Sequence, residues 1–332
     1  MTERAIPSSG PGARATPTFG VAAPGYRLPV ATRVGAVRLQ VADLSRSEEF
    51  YSRVLGLAPS EQAEGRASLR APGAAEPLIE LVEHPGARTA GPRGRIGLYH
   101  YAILLPDRAA LARFAVHAND LGLRMGMSDH LVSEALYFSD PDGLGIEVYA
   151  DRPRSAWRWD QGQLVMATDP LDVVGLLREA GDEPFAGVPS GTRIGHLHLH
   201  VRDLGEAAAF YHEALGFDKV VWSYPGALFL SAGGYHHHVG LNTWAADAPN
   251  AGPDDARLLA WTLVLPDGAA VERAAESIVS AGYRVVREPG RILALDPWGT
   301  AVALVHEQGL RANGPGSGSE NSSHPRSGGT PD

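Results

Sequence analysis

The chain repeats itself at one fixed spacing, and this constrains its fold more than any other feature. Residues 34–57 ("VGAVRLQVADLSRSEEFYSRVLGL") and 194–217 ("IGHLHLHVRDLGEAAAFYHEALGF") align without a gap at an offset of 160, with 9 of 24 positions identical. Residues 98–124 ("LYHYAILLPDRAALARFAVHANDLGLR") and 258–284 ("LLAWTLVLPDGAAVERAAESIVSAGYR") align at the same offset, with 10 of 27 identical. Two separate segments sharing one offset identify a duplication. Each half divides again. All four segments open with an alternating strand, turn through ADL, RDL or LPD, and continue as an amphipathic helix that stops near a glycine. In the first, Phe50, Val54 and Leu55 form the expected apolar stripe and Gly56 the stop. Turns such as "DPDG" at 140–143 and "DPWG" at 296–299 separate the short strands that follow. The repeating unit is therefore β-α-β-β-β, present four times.

The expected organisation is two halves, residues 33–150 and 194–307, joined by a linker at 151–193. The linker segment "DPLDVVGLLREAG" reads as one short helix. Residues 1–32 and 308–332 are rich in Pro, Gly and Ser and bury too little to offset chain entropy, so both read as disordered tails. The net charge of −9 and the lack of any Lys/Arg run argue against a nucleic-acid partner. Cysteine is absent, which excludes disulfides, thiolate metal sites and a cysteine nucleophile. No apolar run approaches the ~20 residues of a membrane span, and no signal peptide is evident, so the expected location is the cytoplasm. The sequence leaves the oligomeric state open, a homo-oligomer included.

The stretch "IGHLHLHVRDL" carries the chemistry. A strand puts His196, His198 and His200 on one face and Leu197, Leu199 and Val201 on the other. Imidazole fills a core poorly and holds a metal well, and without cysteine any metal here is held by His and carboxylates. One such strand is equally a polar strand face, so the rest of the chain must decide.

The unit, with "FYxxxLGL/F" on the helix and "DPDGxxIE" before the last strand, resembles the vicinal oxygen chelate superfamily of glyoxalases, bleomycin-resistance proteins and dioxygenases. "LYHYAILLPD", "SEALYFSDPDGLGIEVYADRP" and "GHLHLHVRDL…LFLSAGGYHHHVGLN" resemble its catechol 2,3-dioxygenase (type I extradiol) branch. The resemblance covers about residues 33–306. It implies an α+β fold in which four βαβββ modules form two cup-shaped mixed sheets with helices packed outside. In that family the metal sits in a cup, held by residues on first and last strands.

The duplication offers a control on where those residues are. At the matched position the first strands carry Ala36, His100, His196 and Ala260, and aligning the two DP-x-G turns sets Glu147 opposite Ala303. Modules two and three thus hold His100, Glu147 and His196, whereas modules one and four hold three alanines. Two His and one carboxylate form the facial triad suited to Fe(II), with open positions for substrate and O2; the same donors accept Mn(II). The set is complete only if module two pairs with three and module one with four. Glu80, whose sister residue is Gly240, is a rival ligand of the glyoxalase kind. Within the resemblance, His237 takes the place of the acid–base histidine, and His130 and Tyr137 match the family's other pocket His and Tyr. His198 and His200 either line the cup or orient a ligand, and the triple His236–His238 reads alternatively as a polar hairpin edge. The expected activity is Fe(II)-dependent extradiol cleavage of a catechol-type diol by O2. The alternatives are a metal-dependent lyase or isomerase of the glyoxalase kind, and a small-molecule-binding resistance protein. Trp222, Tyr224 and Trp244 are candidates for the substrate pocket.

Overall fold

The computed structural model describes residues 19–91 and 94–307. Module one contains β1 (Arg33–Val41), α1 (Leu44–Leu55), β2 (Ala58–Ala63), β3 (Arg66–Arg70) and β4 (Ile79–Glu83). Module two contains β5 (Gly97–Leu104), α2 (Arg108–Asp120), β6 (Gly126–Asp129), β7 (Ser133–Ser139) and β8 (Gly145–Asp151). The linker adds a small hairpin, β9 (Trp159–Asp160) and β10 (Gln163–Leu164), and the short helix α3 (Val173–Leu177). Module three follows with β11 (Arg193–His200), α4 (Leu204–Ala208) running on into a π-turn (Ala209–Ala214), β12 (Asp218–Val221), β13 (Ala227–Ser231) and β14 (Val239–Asn242). Module four contains β15 (Arg257–Leu265), α5 (Gly268–Ser280), β16 (Val285–Glu288), β17 (Arg291–Leu295) and β18 (Ala301–His306).

The repeated turn has a physical cause. In every module its aspartate caps the following helix: Asp43, Asp107, Asp203 and Asp267 have extended backbones and accept from the N–H groups of Arg46, Ala110, Glu206 and Ala270. Each cap satisfies an otherwise orphaned donor and is worth about 1 kcal/mol. Gly56 ends α1 at φ 66°, and its missing side chain lets Gly187 of the linker approach.

The strands form two eight-stranded sheets, ordered β16-β17-β18-β15-β1-β4-β3-β2 and β12-β13-β14-β11-β5-β8-β7-β6. The first joins modules four and one and the second modules three and two, the pairing that the triad argument required. Within each module the first strand runs parallel to the last, and the two first strands meet antiparallel at the centre. Val37, Tyr101, Leu197 and Trp261, all fully buried, face the helices. Among the described residues no helix is long and apolar enough to cross a membrane.

The α1 stripe differs from expectation. Tyr51 is fully buried there and Phe50 only half-buried. The reason lies in the other sheet: the Tyr51 hydroxyl donates to Asp140 Oδ2 at 3.0 Å and receives the Tyr101 hydroxyl at 3.0 Å. The sister contact, Tyr211 to Asp296, repeats the bond at 3.0 Å. Each FY motif thus ties its helix to the DP-x-G turn of the next module, which belongs to the opposite sheet.

The reading of residues 1–32 as a disordered tail is corrected for residues 19–32. Leu28 is buried, Arg27 pairs with Asp218 at 2.5 Å, and the backbone of Val21 bonds that of Lys219 in both directions. Composition misleads here because docking needs only Phe19, Tyr26 and Leu28 as anchors, with backbone bonds supplying the rest. Residues 1–18 and 308–332 lie outside the described residues.

Two outcomes follow. A chain beginning at Thr32 loses Leu28 burial and the Arg27–Asp218 pair. With roughly 2–3 kcal/mol for a buried Leu and 2–4 °C per kcal/mol at this size, the melting temperature drops by about 5–10 °C in scanning calorimetry. Burial pushes the Asp140 carboxyl up to about 7, against hydrogen bonds from Leu144, Tyr51 and Asp142 that lower it. A raised carboxyl contributes stability that is fully present below its unfolded pKa near 4 and is lost as pH rises through 7. Denaturant titrations therefore show the parent losing stability relative to Asp140→Asn between pH 4 and 7, and running parallel to it above.

Candidate metal centre and substrate cavity

The centre is built at the seam between β5 and β11. Their antiparallel register sets His198 opposite His100 and His196 opposite Ala102. The parallel register of β5 and β8 then sets Ala102 beside Glu147. Two strand pairings thus bring His100, His196 and Glu147 to one point. Glu147 Oε2 lies 3.0 Å from His100 Nε2 and 3.1 Å from His196 Nε2. One ligand atom from each of the three residues falls within 4.8 Å of the others, and all three side chains are buried.

Electrostatics at this point favour a cation. Burial would raise the Glu147 carboxyl, but its contacts with the His196 and His100 imidazoles outweigh it and hold the carboxyl well below its usual range. Burial pushes His196 down to about 4, against the pull of Glu147, so near neutral pH the imidazole is free to coordinate. His196 Nδ1 has no hydrogen-bond partner. A carboxylate oxygen and two imidazole nitrogens converging in a buried site are a donor set that fits a divalent metal.

The same residues line a cavity of about 400 Å³ together with His130, Tyr137 and His237. A carbonyl can only accept, so the 2.7 Å contact of His130 Nδ1 with Ala167 O puts the proton on Nδ1. In the neutral ring Nε2 then accepts from the Tyr137 hydroxyl at 2.6 Å. Burial, followed by the Glu147 charge, holds the Tyr137 phenol well above 10.

The three consecutive histidines have different surroundings. His236 Nε2 contacts Asp151 Oδ1 at 3.0 Å, and its Nδ1 contacts His237 Nδ1 at 2.8 Å. Since the carboxylate only accepts, the neutral His236 ring has its proton on Nε2; His237 then donates from Nδ1 and keeps a lone pair on Nε2. Burial and then the neighbouring imidazoles His196 and His236 hold His237 well below its ordinary value. This departs from the near-neutral value expected of an acid–base histidine, because the sequence did not show how deeply the ring is buried. His238 turns the other way, accepting from the Ala232 N–H at 3.1 Å, outside the cavity lining. His236 and His237 also form a second candidate ligand cluster with His196.

His198 and His200 separate as well. His198 is buried in the cavity wall with no partner for Nε2. His200 Nδ1 contacts Asn242 Oδ1 at 2.7 Å and lies outside the lining. The ring of His198 packs over Gly240, where an added Cβ would lie 3.0 Å from it. The sister position of Gly240 is Glu80, and that of His198 is Arg38. Those two form an ion pair of 2.7 Å in the other sheet. Glu80 is thereby remote from the triad and already partnered. Ala36, Ala260 and Ala303 stand beside it in a cavity of about 340 Å³.

Of the pocket candidates, Tyr224 and Trp244 line the cavity; Trp222 does not, and its backbone N–H bonds Gln163 instead. The sequence reading did not identify Met127, Met166 and Ala167 in the lining. Met166 and Ala167 come from the linker, which lies outside the repeats and gave no periodicity to follow. Asp151, at the end of β8, also went unnoticed as the partner of His236.

Comparison with known proteins agrees with the geometry. The family model for the Glyoxalase/Bleomycin resistance protein/Dioxygenase superfamily matches residues 33–148 and 193–302. A Bacillus subtilis (strain 168) protein named catechol-2,3-dioxygenase is 47% identical over 274 residues, covering 80% of this chain and 94% of the relative. Among solved structures, a Bacillus subtilis protein provisionally described as a dioxygenase superposes with a TM-score of 0.59 at 15% identity, over 85% of this chain and 86% of that one. A mutant form of glyoxalase I from Zea mays gives 0.55 at 18%, over 86% and 97%. The likeness to these structures is one of fold. With both repeats matched and a relative nearly half identical along most of its length, the chain belongs to the Glyoxalase/Bleomycin resistance protein/Dioxygenase superfamily.

Proposed function

We propose that the protein is an Fe(II)-dependent extradiol dioxygenase that cleaves a catechol-type diol with O2. The observation that carries this is the meeting of a two-His, one-carboxylate donor set with His237, His130 and Tyr137 around one cavity. The 47% identical relative named catechol-2,3-dioxygenase supports the same chemistry. His100, His196 and Glu147 would hold the metal. Bound iron would supply a Lewis acid that acidifies the diol and a redox centre that couples it to O2; the donor set itself also accepts Mn(II).

The chain's own groups handle protons and orientation. His237, with its Nδ1–H fixed on His236, offers Nε2 as an acceptor for a proton leaving the diol and can return that proton later. Asp151 holds His236 and so fixes the tautomer of His237 at one remove. His130, with its Nδ1–H on the Ala167 carbonyl, accepts from the Tyr137 hydroxyl and holds the phenol oxygen in the cavity lining, where it can accept a hydrogen bond. A glyoxalase-type reading lacks support in the cavity, because Gly240 occupies the position of the extra carboxylate and the His198 ring fills the space above it.

The test is anaerobic loading of metal-depleted protein with Fe(II), followed by catechol and then air; ring cleavage at the extradiol position gives a yellow product. Loss of iron and of cleavage is expected for His196→Ala, with an unchanged circular dichroism spectrum, because Ala36 already occupies the matched position in the sister module. His237→Ala is expected to retain iron while turnover falls by about 10²–10⁴; loss of iron instead would assign His237 to the metal.

Metal analysis of desalted protein is expected to give one iron per chain. An alanine methyl cannot coordinate, and the cup holding Ala36, Ala260 and Ala303 lacks all three ligands. Ala36→His or Ala260→His alone leaves the ratio at one.

A further inference from the structure

The cavity wall away from the triad is mostly apolar: Met127, Met166, Tyr224, Phe229 and Trp244 stand beside Ser128, Ser133 and Thr168, with Met127 and Trp244 at its exposed mouth. Phe229, Tyr224 and Met166 belong to a satellite hydrophobic cluster with Val132, Leu164 and Val221, separate from the main core. Trp159 of the linker backs this cluster and meets the tilted ring of Phe19 of the N-terminal segment at a centroid distance of 4.8 Å. The wall is built mostly by modules two and three and is braced by the linker and the N-terminal segment. Among the described residues no Lys or Arg lines the cavity, and Glu147 is the one carboxylate in it.

The cavity is also larger than a bare ring needs. About 150 Å³ suffices for benzene, against about 400 Å³ here. The remaining space is bounded by thioethers and aromatic faces, which adapt to irregular apolar groups but cannot neutralise a buried charge. Two guanidinium groups, those of Arg95 and Arg257, line an adjoining cavity that shares Tyr99, His100, Tyr137 and Trp244 with this one. Arg95 is already paired with Asp255 at 2.9 Å.

We infer that the substrate's ring carries an uncharged, apolar substituent seated against Met127, Met166, Tyr224, Phe229 and Trp244, and that the linker segment around Met166–Thr168 determines this specificity. The inference rests on the ring-cleavage reading and refines it. A carboxylated diol entering the same cavity would bury an anion with no counter-charge and with Glu147 nearby, whereas an alkyl group gains burial.

The test uses a matched pair of near-equal size, 3,4-dihydroxyphenylacetamide and 3,4-dihydroxyphenylacetate, with 4-ethylcatechol as the apolar member. Dissociation constants are measured on the iron-loaded full chain without O2, and kcat/KM in air. The amide and the ethyl compound are expected to bind roughly 10²-fold more tightly than the acid, the scale of an uncompensated buried charge. Thr168→Lys places an ammonium group at the exposed rim of the cavity, beside Tyr224, and is expected to narrow the gap between acid and amide about 10-fold. Equal binding of acid and amide overturns the inference while leaving ring cleavage intact, as does preference for the acid that disappears in Arg257→Gln. Preferential binding of the neutral members without cleavage of any diol upholds the inference about the cavity and overturns the ring-cleavage reading alone.

Discussion

The antiparallel seam between β5 and β11 is the pairing on which the site depends. It joins module two of one half to module three of the other, 96 residues apart at His100 and His196. Backbone hydrogen bonds set a register in which a slip of one residue would turn every imidazole out of the cup. Glu147 enters through a second register, parallel to the first, so all three donors are placed by main-chain geometry. Such a site is rigid without help from loops, which suits a centre whose ligands must converge on a single point.

Duplication gave the chain two cups, and among the described residues only one holds the His100–Glu147–His196 cluster. In the second cup Ala36, Ala260 and Ala303 remove the ligands, and the Arg38–Glu80 ion pair takes the positions that His198 and Gly240 occupy in the first. The second sheet still serves the first. Tyr51 on α1 reaches across to Asp140, and Tyr211 on the module-three helix reaches back to Asp296. These reciprocal bonds join helices of one sheet to turns of the other, so each sheet needs its sister to satisfy a buried carboxyl. A degenerate cup retained for this purpose can lose its ligands freely but not its packing.

The segments outside the repeats do what the repeats cannot. A symmetric pair of modules offers two similar walls, and a substrate site needs one wall that differs. The linker provides it through Met166 and Ala167, whose carbonyl also fixes the tautomer of His130. The N-terminal segment braces the linker through Phe19 and the Gly20–Gly162 backbone bond.

The sequence by itself determined the four βαβββ modules and their pairing, and it singled out His100, Glu147 and His196 as the proposed donors. The modules were legible because an aspartate cap, an amphipathic stripe and a glycine stop recur at one spacing, and each is a local requirement. The donors were legible because His100, Glu147 and His196 each face an alanine in the sister module. Tertiary structure alone decided which of His236, His237 and His238 faces the cavity, since adjacent residues differ by where Asp151 and Ala232 happen to sit. It alone showed Tyr51 rather than Phe50 at the buried face of α1, because the partner Asp140 lies 89 residues away in the other sheet. Residues 19–32 and the linker wall were illegible for the same reason. They have no period of their own, and their order comes from surfaces that exist only once the repeats have folded.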